Sequence, residues 1–248
     1  MIIMNAGVPR SGTILVNAIV RKLLESVGIP VVTANPHGPE VRVVLDKLQT
    51  DEPNRQSATI IHTHSWNAGV AQQANKLCRT SGFVNYRDPR DVVVSLMKLH
   101  DHDFATAAKL TMEAFRVFEI ICHDTNFMII PYELLISNRT GFIFQIAQRL
   151  GIWPSLDEIA RVNEETSVSN HSKIMDQVRS GNRKRLIRVQ NRNRVLIEDR
   201  DTLINDRHIQ SGVIGRWRNE LSAEHQADAT RRFAHLIERY GYSMPVTS

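Results

Sequence analysis

Arg10, Ser11, Gly12 and Thr13 place a guanidinium, two hydroxyls and a side-chain-free backbone within one short turn. Such a set suits an anion. Gly12 lets the backbone come close to a ligand, Arg10 carries a permanent positive charge, and both hydroxyls can donate. A second set lies in NYRDPRDVVVS at residues 85–95, where Arg87 and Ser95 are eight positions apart. Arg87 can grip a phosphate with two parallel donors. Ser95 falls one turn inside the following helix, so its hydroxyl can point back toward Arg87. A third candidate is His64, in IIHTH at residues 60–64. An imidazole with an ordinary pKa of about 6.5 is largely neutral at neutral pH and can take a proton.

Each candidate stands at a junction between elements. The apolar run IIMNAGV stops at the Pro-Arg-Ser-Gly-Thr turn, and Ile14, Leu15, Ala18, Ile19, Leu23 and Val27 then recur at helical spacing until Gly28 and Pro30. A strand ending there leaves backbone N–H groups unpaired, and the helix adds its positive dipole end at the same place. The loop differs from GxxxxGK[ST], since no lysine precedes the hydroxyl residue. Residues 82–86 read as a strand closed by Arg87. Pro89 turns the chain, Asp91 takes the N-cap, and Val92, Val93, Leu96 and Leu99 mark a helix.

Elsewhere the chain alternates. Residues 31–34 and 59–62 are short β signals, 105–122 a long amphipathic helix and 127–131 a buried strand. Residues 141–150 are helical, Ser155 with Glu158 predicts a capping box, and 222–240 forms a terminal helix closed by Gly241. Strands separated by helices predict a single-domain α/β fold over residues 1–248, a parallel sheet flanked by helices with right-handed crossovers. Residues 170–206 are the least regular part. Their arginines surround two apolar triplets that fit a hairpin turning at 191–193, and the segment reads either as a lid or as a solvated basic excursion.

Taken together the motifs resemble the sulfotransferase family that uses 3′-phosphoadenosine 5′-phosphosulfate (PAPS). PRSGT resembles its 5′-phosphosulfate loop, and Arg87 with Ser95 its 3′-phosphate site. IIHTH resembles the strand end with the catalytic histidine, here His64, and PYELL at 131–135 the segment near the adenine that carries Tyr132. Thr166 and Ser167 resemble a pair contacting the base. HIQSGVIGRWRN resembles the C-terminal Gly-x-x-Gly-x-Trp loop that begins at Gly212. The resemblance runs along nearly the whole chain and implies a P-loop nucleotide-hydrolase-like sulfotransferase architecture.

The resemblance implies a cofactor site of Arg10, Ser11, Gly12, Thr13, Ile14, Arg87, Ser95, Tyr132, Thr166 and Gly212, with His64 and Arg10 catalytic. It implies PAPS as sulfuryl donor, 3′-phosphoadenosine 5′-phosphate (PAP) as product, and a small hydroxyl- or amine-bearing acceptor. The chain departs from the pattern at several positions. Ile14 replaces a second threonine, Leu15 an aromatic that stacks on adenine, and His62 a lysine two residues before the histidine. Gln210 and Ser211 stand where an Arg-Lys pair is common, leaving Arg207, Arg216 or Arg218 to supply the missing charge.

Composition sets further bounds. A net charge of +5 fits a polyanionic partner. Two cysteines, Cys78 and Cys122, are too few for a disulfide framework and read as buried thiols in a reducing compartment. No signal peptide and no membrane-length apolar run stand out, so the expected location is cytoplasmic. The HxH pairs at 62/64 and 100/102 lack a carboxylate or cysteine set at zinc spacing, so no metal is expected. Two other classes share these features. A phosphoryl-transferring P-loop enzyme would use Asp88 as magnesium ligand, and a nucleic-acid-binding module would use the basic stretch 179–200, which has no aromatic residue.

Overall fold

The fold follows from a computed structural model, which describes residues 1–51, 57–77, 82–191, 194–199, 202–205 and 212–243. In chain order it begins with β1 (Ile2–Gly7), α1 (Thr13–Ser26), β2 (Val31–Ala34), α2 (Glu40–Asp51), β3 (Ala58–Thr63), α3 (Ala68–Leu77) and β4 (Gly82–Tyr86). Next come α4 (Pro89–His100), α5 (Phe104–Asp124), β5 (Met128–Pro131), α6 (Tyr132–Ser137), α7 (Arg139–Arg149), α8 (Leu156–Glu165) and α9 (Val168–Arg179). An antiparallel pair, β6 (Leu186–Asn191) and β7 (Arg194–Asp199), precedes three short helices, α10 (Trp217–Glu220), α11 (Ala223–Arg232) and α12 (Ala234–Arg239).

Five strands pair in parallel in the order β2-β3-β1-β4-β5, so β1 is central. The chain crosses from β3 to β4 over β1, and the carboxyl ends around β1 form the crevice where such sheets bind ligands. Successive side chains serve opposite faces. Ile2, Met4 and Ala6 pack with Val84 and Ile61 against helices that include α4 and α5, while Ile3, Ile60 and Phe83 pack against α1, α7 and α8.

Several local expectations shift. The strand at 127–131 begins at Met128 and lies at the sheet edge. Ile129 is exposed and only Ile130 is fully buried, since an edge strand is covered on fewer sides. The terminal helix is two pieces interrupted at fully buried Phe233. Asp88, not Asp91, caps α4: Pro89 takes the first helical position, and the Asp88 carboxylate accepts from Arg90 N. The capping box of Ser155 and Glu158 forms as expected. The hairpin forms as well, with its turn at 192–193 outside the described residues. Cys122 is half-buried and Cys78 lies outside the described residues.

Candidate active site

The turn after β1 is built by backbone constraints. Gly7 has φ 143°, and a Cβ there would meet the Asn85 carbonyl oxygen at 2.3 Å, so β1 and β4 can close up only around glycine. Arg10 sits at φ 68°, a left-handed conformation that costs an L residue roughly 1–2 kcal/mol. Gly12, at φ 87°, is the N-cap of α1 and offers no side-chain cap, so the leading N–H groups of the helix receive no side-chain acceptor from that position. A Cβ on Gly12 would lie 2.8 Å from the Tyr132 ring, which closes the loop from the other side.

Below the loop three adjacent strands and α1 share a buried amide network. Asn85 Nδ2 donates to Asn5 Oδ1 at 2.6 Å, and Asn5 Nδ2 donates to Asn17 Oδ1 at 2.7 Å and to the Thr13 carbonyl at 2.8 Å. With its oxygen so used, Asn17 turns its amide toward His62 Nδ1 at 3.2 Å. That nitrogen must therefore accept, which places the His62 proton on Nε2. The His62 imidazole is thus held as a neutral donor.

His64 follows the last residue of β3, and its Nδ1 lies 2.8 Å from the Gly7 carbonyl. A carbonyl only accepts, so Nδ1 carries the hydrogen and Nε2 keeps its lone pair. Burial, with His37 and Arg10 nearby, lowers the His64 pKa below its ordinary value, although the Gly7 bond opposes that shift. His62 and His64 meet edge to face with ring centroids 5.0 Å apart.

The two anion motifs join directly: Arg10 Nε donates to Ser95 Oγ at 2.8 Å. Arg87 lies 4.3 Å above the Tyr132 ring and donates through one terminal nitrogen to Asp91 Oδ2 at 2.9 Å and the Val213 carbonyl at 2.7 Å. Its Nε is buried and meets no acceptor among the described residues. Asp91 also accepts from Gly215 N and Trp217 N, and so holds the Gly-x-x-Gly-x-Trp loop against α4. Gly212, at φ 67°, then brings its carbonyl within 3.2 Å of the Tyr132 hydroxyl.

One cavity of about 550 Å³ opens over these groups. Arg10, Gly12, Thr13, Ile14, His64, Arg87, Ser95, Tyr132, Thr166 and Gly212 all line it. Ser11 does not, because its hydroxyl turns inward to the Val8 carbonyl at 2.5 Å. Ile14 also packs with Met175, Leu203 and Ile204, so the missing threonine hydroxyl is replaced by an apolar contact with the covering segment.

Of the three arginines that could supply the missing charge, Arg216 lines the cavity, paired with Glu220 through two bonds of 2.9 Å. Arg218 stacks on Trp217 at 4.4 Å, and Arg207 lies outside the described residues, as do Gln210 and Ser211. Burial, with the charges of Arg87 and Arg216, lowers the Arg10 pKa to about 10, which still leaves it charged near neutrality. Asp88 is doubly bonded to Arg90, at 2.9 and 2.7 Å, besides capping α4, so both of its oxygens are occupied. The cavity wall also includes His37, His100, His102, His171, Glu198 and Asn205; no motif singles them out, but they fall in the irregular segments 36–55, 100–106 and 170–206, where the sequence leads one to expect the acceptor pocket. Spacing gave no signal for them, because they reach the cavity from segments far apart in the chain.

A central parallel sheet with a glycine turn feeding α1 defines an α/β fold of the P-loop-like type. Solved structures narrow it. Mouse sulfotransferase SULT7A1 complexed with PAP shares 16% identity and superposes with a TM-score of 0.64 over 95% of this chain and 84% of that one. Retinol dehydratase with androsterone and the inactive cofactor PAP gives 16% identity and 0.59, covering 99% of this chain and 83% of that one. The same enzyme with retinol and PAP gives 16% and 0.57, over 98% and 83%. The architecture is therefore the sulfotransferase fold. No family model and no curated protein matches the chain.

Proposed function

We propose that this chain is a PAPS-dependent sulfotransferase acting on a small acceptor, with His64 as general base. The carrying observation is that Arg10, Arg87 and Ser95 open into the same cavity as His64. The residues fit a doubly anionic adenosine nucleotide. Three arginines face one space, the Arg87 Nε awaits an acceptor, and the leading turn of α1 points there without a side-chain cap at Gly12. The shared fold with two PAP-bound proteins supports the same reading.

Bound PAPS supplies the sulfuryl group, whose bond to the 5′-phosphate oxygen breaks with the electron pair leaving on PAP as the acceptor oxygen or nitrogen bonds to sulfur. His64 Nε2 takes the acceptor's proton, and the Nδ1–H bond to Gly7 fixes that tautomer. Arg10 and the amides of residues 11–13 stabilise charge growing on the leaving phosphate, an effect of roughly 3 kcal/mol per positioned donor. Arg87, Ser95 and Arg216 hold the 3′-phosphate. Tyr132, Thr166 and Gly212 frame the base, and the His62 Nε2–H offers a neutral donor where a cation would be more usual.

Calorimetry with PAP, followed by an acceptor screen with labelled PAPS, tests the reading. Micromolar PAP binding with transfer of label is the expected result. Magnesium-dependent ATP binding in preference to PAP would instead favour phosphoryl transfer, and a salt-sensitive gel shift without nucleotide affinity would favour nucleic-acid binding.

A further inference from the structure

The cavity has a second charged region of opposite sign. Leu196 and Glu198 alternate onto one face of β7 and both line the cavity, while Asp199 points the other way and pairs with Arg183. Glu198 is buried, and Asn205 is the side chain that hydrogen-bonds to it. No cation among the described residues pairs with it. Asp199 is the charged neighbour that acts on it, and no arginine among the described residues is bonded to it. A buried carboxylate without a cation is costly, and a ligand bearing a positive charge removes that cost.

Building on the proposed sulfotransfer, we propose that Glu198 receives a protonated amine of the acceptor, so that the substrate class is amino-bearing molecules whose separate hydroxyl or second amine is presented to His64. The carboxylate accepts hydrogen bonds from the ammonium, which remains protonated and is not the nucleophile. The cavity wall also carries apolar side chains, Leu96, Leu99, Leu110 and Ile204 among them, which suit a hydrocarbon spacer. Burial raises the Glu198 pKa to about 7, so the carboxyl is mostly ionised at pH 8, where an alkylamine is still protonated.

The test uses two probes of equal length, 6-aminohexan-1-ol and heptan-1-ol, titrated at pH 8 into the protein saturated with PAP. The aminoalcohol should bind at least about tenfold more tightly, and Glu198→Gln should bring the two affinities together. Equal affinities, tighter heptanol binding or no binding of either in the wild-type protein would overturn the inference, with no variant needed. Absence of PAP binding is a separate outcome. It would remove the sulfotransferase reading itself, on which this assignment rests, whereas PAP binding without an amine preference removes the Glu198 assignment alone.

Discussion

Arg10 Nε donates to the Ser95 hydroxyl over 2.8 Å, so a loop residue after β1 and a helical residue after β4 form one unit. The hydroxyl oxygen accepts from Arg10, which leaves its own proton free to be donated into the cavity. Arg10→Ala and Arg87→Ala should therefore each weaken PAP by about 1.5–3 kcal/mol, the range for charge-assisted bonds, and Ser95→Ala by only about 0.5–1.5 kcal/mol. Calorimetry gives the order directly. An Arg87→Ala protein that titrates like wild type would refute its phosphate role.

His64→Ala should separate chemistry from nucleotide binding. Turnover should fall by about 10²- to 10⁴-fold, the usual worth of general-base catalysis, while the PAP affinity stays close to that of wild type. Single-turnover kinetics beside a PAP titration checks both. Wild-type turnover would end the assignment.

The pH profile carries a further sign. Because the His64 pKa is lowered, chiefly by burial, the neutral base persists as the solution is acidified. The acid limb of kcat/KM should thus lie below pH 6.5, with loss of activity only as His64 takes up a proton. A limb centred above pH 7 would assign the base to another group.

His62 should be neutral with its proton on Nε2, because Asn17 donates to Nδ1. Nitrogen-15 spectra of histidine-labelled protein at pH 7 read the tautomer, and an imidazolium signature would contradict the network. Asn17→Ala removes one hydrogen-bond partner each from Asn5 and His62, at a total cost of about 1–3 kcal/mol. Urea unfolding should show that loss.

His171 makes stability acid-sensitive. Burial, assisted by Arg139, lowers its pKa to about 4, so the folded protein favours the neutral ring. The contribution is complete above the unfolded value of about 6.5 and is lost as pH falls toward 4, by about 2 kcal/mol between pH 7 and pH 5. His171→Leu should flatten that stretch of the stability curve. An unchanged slope in urea titrations would count against it.

Much of this molecule is written in short-range pattern. Strand-turn-helix junctions at Gly12 and Arg87, the Ser155–Glu158 cap and the alternation that demands a parallel sheet all depend on neighbours within a turn or two, so the chain itself determines them. The same holds for the two anion motifs, whose residues are close in sequence. Tertiary structure decided what each motif meets. Asp91 looks like a helix cap until Pro89 moves the cap to Asp88 and leaves Asp91 to anchor a loop 124 residues away. Ser11 looks like a ligand donor until the turn directs its hydroxyl to Val8. The asparagine network beneath His62 exists only because β3, β1 and β4 lie side by side, and Glu198 reaches the cavity only because the β7 hairpin packs over it. Such contacts arise between strands and segments far apart in the chain, where spacing holds no record of which side chains will share a dry, confined space.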